Sequence, residues 1–209
     1  MSKENDSSSK QREINECLSR ASILLLCSHI ESFFEDLILD ILTFHEYNQT
    51  SISMLPDRLK VIQTLRKPIT DNLGFDKKWK IIESMIQSPF ANTNNKCYQG
   101  IFNLELHLKG FASPGSKNVD DLFKSIGIND VWNLVENKDT TMRSKNNLDA
   151  FINRRNNITH GSAADKPTMG NVRNYVRDVC AIALIFNAVV TEYIVNNFNV
   201  QNPWVITSI

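Results

Sequence analysis

Residues 168–198, TMGNVRNYVRDVCAIALIFNAVVTEYIVNNF, decide the fold. Apolar side chains fall at 172, 176, 179, 183, 186, 190 and 193, an unbroken alternation of four and three. A strand would need steps of two, whereas steps of three and four keep one stripe of a long helix apolar. Such a stripe is a heptad-like seam for another long helix. It serves either the core of a bundle within the chain or a contact between two copies, and spacing leaves both readings open.

A partner for that helix stands near the start of the chain. Residues 11–45 contain neither Gly nor Pro, and apolar residues recur at 23, 26, 30, 33, 37, 41 and 44. Its middle, ILLLC at 23–27, is apolar nearly all round, as expected of a helix at the centre of a bundle. Shorter helices are expected over 53–65, 76–86, 118–126, 129–136 and 146–159, with Pro56, Pro68, Gly127 and Gly161 as punctuation. Residues 1–10 read as a disordered tail, and 88–116 as a long loop or irregular insertion. The expected architecture is all-α, a single helical domain over 11–209 built on two long helices with shorter ones inserted between them.

Composition agrees with that class. Seven Gly and six Pro make roughly 6% of the 209 residues, about half the usual share of about 12%. A turn-rich all-β chain is thereby excluded. Four scattered cysteines (Cys17, Cys27, Cys97, Cys180) show no C-x-x-C pair, so neither a zinc site nor a disulfide framework is expected. The apolar stretches near 21–27 and 181–190 are interrupted by polar residues, short of the roughly 18–20 that a spanning helix requires. With a polar N-terminus as well, the expectation is a cytoplasmic protein with no membrane partner.

Lys+Arg and Asp+Glu both number 23, which excludes a globally basic nucleic-acid coat. The balance is uneven along the chain. Residues 1–40 hold four basic residues against eight acidic ones, and residues 141–180 hold seven against three. The basic stretch, with Arg143, Lys145, Arg154, Arg173 and Arg177, is either a solvated face or a surface for a polyanion such as RNA.

Inside that stretch lies Asn153-Arg-Arg-Asn-Asn-Ile-Thr-His-Gly161. On a helical wheel with Leu148 at zero, Phe151, Ile152 and Ile158 define an apolar stripe centred near about 335°, and Arg155 falls at about 340°. A guanidinium in an apolar stripe must be paired or face a cleft. Arg154, at about 240°, lies at the edge and is expected to reach water. His160 sits in the last turn, which is expected to fray before Gly161 takes a left-handed conformation. His29 reads as a partly buried helix residue, and His45 and His107 as isolated ones, structural or exposed.

These features together are where a resemblance appears. The long first helix carrying His29-Ile-Glu-Ser-Phe33, the late helix ending Arg155-Asn-Asn-Ile-Thr-His-Gly161, and the long closing helix resemble the HEPN superfamily, most of all the RiboL-PSP-type HEPN proteins. The resemblance implies an all-α bundle and, in many members, a metal-independent endoribonuclease bearing an Arg-x4–6-His motif. Arg155 and His160, with four residues between them, match it, as does Arg154 with five. Arg155 is preferred for its inward direction. The implied roles are His160 as general base or acid, Arg155 on the phosphate, and Asn156 as a contact to either. Glu31 would pair with Arg155 or orient His160, unless it is simply an exposed helix glutamate. The resemblance further implies a homodimer with a composite active site, no cofactor, and a setting in phage defence or a toxin–antitoxin-like system with a possible antitoxin or partner protein. The alternative is a non-catalytic HEPN interaction module binding RNA or a protein.

Overall fold

A computed structural model describes residues 2–65, 74–139, 143–162 and 165–204, with side chains from residue 9 onward. Among the described residues there are eight α-helices: α1 (Ser2–Tyr47), α2 (Asp57–Thr64), α3 (Phe75–Ile86), α4 (Glu105–Leu108), α5 (Ser116–Ser125), α6 (Val131–Lys138), α7 (Ser144–Thr159) and α8 (Met169–Phe198). The fold is the all-α one that the spacing predicts, and the only β pairing among the described residues is the isolated bridge Ser51–Lys96.

The differences from the sequence reading have local causes. The helix expected over 53–65 is split, because Pro56 forces Leu55 into an extended conformation (φ −68°, ψ 145°). A short 3-10 turn, Ile52–Met54, precedes that break and α2 follows it. Pro68 lies outside the described residues. α1 starts at Ser2, so it runs through the segment read as a tail; Ser9 and Lys10 are exposed there, and nothing apolar calls for packing. The 88–116 stretch is largely irregular, with a 3-10 turn at Pro89–Ala91 and the single-turn α4. It is nonetheless seated: the amide of Ile52 donates to Asn95, that of Cys97 donates to Thr50, and Phe90, Cys97 and His107 are buried.

The chain forms two compact units. The first comprises Met1–Phe34, Ala112–Asn118 and Trp132–Val190. Its core joins α1, α6, α7 and α8 through fully buried side chains. Phe186 meets Phe34 (ring centroids 4.9 Å apart) and Trp132 (5.2 Å), both edge to face. The heptad-like seam of α8 is largely spent here: Val172, Val179, Phe186 and Val190 are buried, and only Val176 of this set is well exposed, at 42%. Polar links fix the short elements. Asp149 on α7 accepts both the amide and the hydroxyl of Ser116 (2.9 and 2.7 Å), and Trp132 Nε1 donates to the Ser116 carbonyl (2.7 Å).

The second unit comprises Glu35–Phe111, Val119–Val131 and Thr191–Ile209. Its core contains the two histidines read as isolated. His45 is enclosed by the rings of Phe44, Phe102 and Phe198 and has Thr50 Oγ1 at 3.2 Å. His107 lies between Gln63 Nε2 (2.7 Å) and Ser125 Oγ (2.9 Å). Gln63 Nε2 is a donor, so His107 Nε2 accepts and Nδ1–H donates to Ser125, which fixes a neutral tautomer. Burial pushes both imidazoles down to about 4. Gly127, at φ +93°, turns the chain hard against the Pro56 ring.

α8 also corrects one sequence expectation. Counting uninterrupted apolar runs missed that it is long and apolar enough, by length and composition, to cross a membrane, with a mean hydropathy of 1.8 over its best window. Isolated residues such as Asn187 and Thr191 cost little in such an average. A third of that window is buried within the protein.

Candidate active site

The motif helix α7 buries Leu148, Phe151, Ile152 and Ile158, so Arg155, which shares their stripe, is drawn inward and is only half exposed. Its guanidinium reaches the Cys27 thiol on α1, which it hydrogen-bonds. Burial raises the Cys27 pKa, the Arg155 charge opposes that rise, and the Glu31 carboxylate, one turn along α1, adds to it. Cys27, Glu31 and Arg155 are therefore one electrostatic cluster. On its other side Arg155 Nη1 donates to Asn156 Oδ1 at 3.1 Å. Glu31 is half-buried there.

His160 caps α7 (φ −80°, ψ 9°) and its side chain is exposed. The last turn does not fray. The His160 amide donates to the Asn156 carbonyl (2.9 Å), that of Gly161 to Ile158 (3.1 Å), and that of Ser162 to Asn157 (3.0 Å). The last two of these three bonds, around a left-handed Gly161 (φ +75°), make a Schellman ending, and they satisfy carbonyls that would otherwise be orphaned. Asn156 thus serves both members of the motif, its side chain holding Arg155 and its carbonyl anchoring the His160 backbone.

The segment after His160 is tied down by residues that the sequence reading did not single out. Arg20 on α1 donates from Nη2 to the Ser162 carbonyl (3.0 Å), while its Nη1 stands 3.5 Å from Glu16. Lys166 reaches the same Glu16 at 3.5 Å. Arg154, at the edge of the stripe, keeps 29% of its side chain exposed and also lies with Nε 2.6 Å from Asp165 Oδ1, a carboxylate only 8% exposed. That contact is an ion pair by distance, but its angle is not that of a hydrogen bond. The acidic first helix and the basic motif region therefore meet partly as ion pairs. No spacing rule could reveal Arg20, which is 142 residues from its acceptor. Cys27 had a signal, for it lies four residues before Glu31 and so on the same helix face.

The remaining basic candidates are dispersed. Arg143 starts α7 in a left-handed conformation (φ 49°) and Lys145 follows in its first turn, both exposed. Arg173 and Arg177 are exposed on α8, and Arg177 leans on the Asp178 carboxylate at 3.3 Å. His29, read as partly buried, is exposed and is not drawn into the Arg155 cluster by any described contact. Among the described residues no group of three His, Cys, Asp or Glu side chains is placed to hold a metal ion, and all four cysteines are free.

Chemically, α7 carries an anchored guanidinium, Arg155, five residues before an exposed imidazole, His160, and the Glu31 carboxylate belongs to the cluster of the guanidinium. No curated protein and no solved structure matches the chain. The RiboL-PSP-HEPN family model matches residues 1–192, nearly the whole described chain and every element of this site, and the chain belongs to that family.

Proposed function

We propose that this chain is a metal-independent endoribonuclease that cuts RNA through Arg155 and His160, leaving 2′,3′-cyclic phosphate and 5′-hydroxyl ends. The observation that carries the reading is the arrangement around Asn156, which holds the Arg155 guanidinium with its side chain and the His160 backbone with its carbonyl. Cleavage without a metal needs a base for the 2′-hydroxyl proton, an acid for the departing 5′-oxygen, and a cation for the charged phosphorane. His160 supplies the base or the acid. Arg155, anchored between Cys27 and Asn156, meets the phosphate with a preorganised fork. Glu31 keeps the guanidinium oriented through the shared cluster.

One His160 per chain cannot perform both proton transfers, so the working unit is a homodimer with a composite site. The seam of α8 is largely consumed in the core, but α1 carries an outward stripe at Ile14, Leu18, Ala21 and Leu25, all exposed, with steps of four, three and four. That stripe suits a second copy. Arg143, Lys145, Arg173 and Arg177 would contact RNA phosphates, whereas Arg154 is committed to Asp165. The setting we propose is a cytoplasmic defence or toxin–antitoxin-like role, with an antitoxin or partner protein holding the activity in check.

The test is incubation of purified wild type, Arg155→Ala and His160→Ala with total RNA and with tRNA in EDTA. Wild type should cut and leave cyclic-phosphate ends; both variants should fold, by circular dichroism, and lose cutting. Cleavage that survives both substitutions would refute the site. Absence of cleavage by a dimeric wild type would leave the non-catalytic interaction module in its place.

A further inference from the structure

A cavity of about 400 Å³ lies at the C-terminal end of α1, lined by Thr43, Glu46, Tyr47, Gln49, Tyr98 and Gln99. All of its walls belong to the second compact unit, and none of these residues serves the proposed cleavage. Thr43, Glu46 and Tyr47 share one face of the helix, spanning about 100° on a wheel. Two left-handed residues shape the rest. The amides of Gln49 and Thr50 close α1 on the carbonyls of Glu46 (3.1 Å) and His45 (3.0 Å), a Schellman ending in which Gln49 takes φ 45° where glycine is usual. On the other wall the Ile101 amide donates to the Tyr98 carbonyl (3.1 Å) around Gly100 at φ +79°, the positive φ that a type II turn requires at its third residue. The Cys97 amide donates to the Thr50 carbonyl (2.9 Å) and pins the two walls together.

The electrostatics of this cavity are one-sided. Glu46 is half-buried, its Oε1 accepts from the Phe102 amide (3.3 Å), and among the described residues it is in no ion pair. Its charge is felt nearby: burial pushes the Cys97 thiol up to about 12, and the Glu46 carboxylate adds to the rise. The only basic residue in the last turn of α1 is His45, which is buried and neutral above about pH 4. The negative end of this 46-residue helix therefore adds to the carboxylate with no cation to offset either. Lys96, the nearest cation along the other wall, is exposed and does not line the cavity. Each lining side chain carries an oxygen that accepts hydrogen bonds, and none carries a positive charge. Tyr47 (60% exposed) and Tyr98 (56%) add ring surface beside them.

We propose that this cavity binds a small aliphatic amine in its protonated form, with the ammonium on Glu46 and the alkyl chain against the rings of Tyr47 and Tyr98. A cation relieves the uncompensated carboxylate, its N–H groups meet the surplus of acceptors, and tyrosine rings attract both the charge and the carbons next to it. A phosphorylated or carboxylated ligand would be repelled. A neutral planar base would leave the carboxylate unpaired, and a quaternary ammonium would leave the acceptors without donors.

The inference stands apart from RNA cleavage and is tested without it. The probe is butylammonium chloride, titrated into the full-length protein and followed by two-dimensional amide NMR spectra, with sodium chloride, tetramethylammonium chloride and adenosine as parallel titrants. Butylammonium should give saturable shifts at the amides of Tyr47, Gln49, Tyr98, Gln99 and Gly100, with a Kd below about 1 mM. Glu46→Gln keeps an acceptor for the Phe102 amide and should weaken binding by about ten- to a hundredfold. Tyr98→Ala alters an exposed ring, so it tests the site independently of folding; it should weaken binding by about two- to thirtyfold, while Tyr98→Phe keeps most of the affinity. Shifts that do not saturate, or that sodium or tetramethylammonium reproduces at equal concentration, overturn the proposal. So do tighter binding of adenosine and an affinity left unchanged in both Glu46→Gln and Tyr98→Ala.

Discussion

Lowering the pH should destabilise this protein through two histidines that the proposed chemistry does not use. His45 and His107 are both held near about 4 by burial, against an ordinary 6.5. His45 has three aromatic rings around it and one hydroxyl partner, so an imidazolium there gains nothing that replaces its water. At His107 the proton would have to enter at Nε2, where the Gln63 amide already donates. In the unfolded chain both groups protonate near 6.5, so the unfolded state binds more protons between 6.5 and 4. Stability is therefore fully present above about pH 6.5 and is lost as pH falls toward 4. The two-pKa linkage expression gives a loss of about 2 kcal/mol per histidine between pH 7 and pH 5, or about 4 kcal/mol together. That is a large part of the roughly 5–15 kcal/mol of a typical domain. Urea unfolding followed by circular dichroism at pH 7, 6 and 5 measures it. His45→Phe, which keeps the ring stack, should remove about half of the dependence. A pH profile between 7 and 5 that is flat in wild type, or equally steep in wild type and His45→Phe, would mean that the buried histidines do not set the acid stability.

Two further outcomes test the local geometry. Gly127→Ala should cost about 2–4 kcal/mol, since it combines a left-handed backbone (φ +93°) with a Cβ driven into the Pro56 ring and 3.2 Å from the Tyr193 hydroxyl. Thermal denaturation should then fall by roughly 5–15 °C, and an unchanged midpoint would deny that contact. Arg20→Ala removes the donor to Ser162, so hydrogen exchange of the His160, Gly161 and Ser162 amides should quicken while α8 stays protected. Equal protection in both proteins would mean that Arg20 does not hold the motif's end.

What could be read from the sequence was what depends on neighbours along the chain. The steps of three and four at 172–193 and 23–44 found both long helices, and the wheel around Leu148 turned Arg155 inward, where it is half-buried. Gly161 ended α7 as its freedom at positive φ suggests. What escaped was set by encounters distant in sequence. Arg154 sits at the wheel's edge, and only the fold could bring Asp165 to it. His107 reads as an isolated residue until Gln63, 44 positions earlier, and Ser125 close on its two nitrogens. Periodicity likewise found α3 without saying that its strip of Phe75, Trp79, Ile82 and Ile86 would be exposed, because a wheel records where apolar residues lie and not whether a core is there to receive them. The Arg155–Cys27 contact belongs to the same class, a pairing across two helices that a single helix cannot announce.

In the mechanism we propose, His160 transfers a proton during RNA cleavage while Arg155 stabilises the phosphorane. The most direct measurement of that transfer is the single-turnover rate of cleavage of one end-labelled tRNA in EDTA, compared between wild type and His160→Ala at equal, saturating protein. A positioned general acid or base contributes about 10²–10⁴-fold, so the variant should be slower by that factor with RNA binding unchanged. A His160→Ala rate within threefold of wild type, giving the same 2′,3′-cyclic ends, would mean that His160 is not the group that transfers the proton.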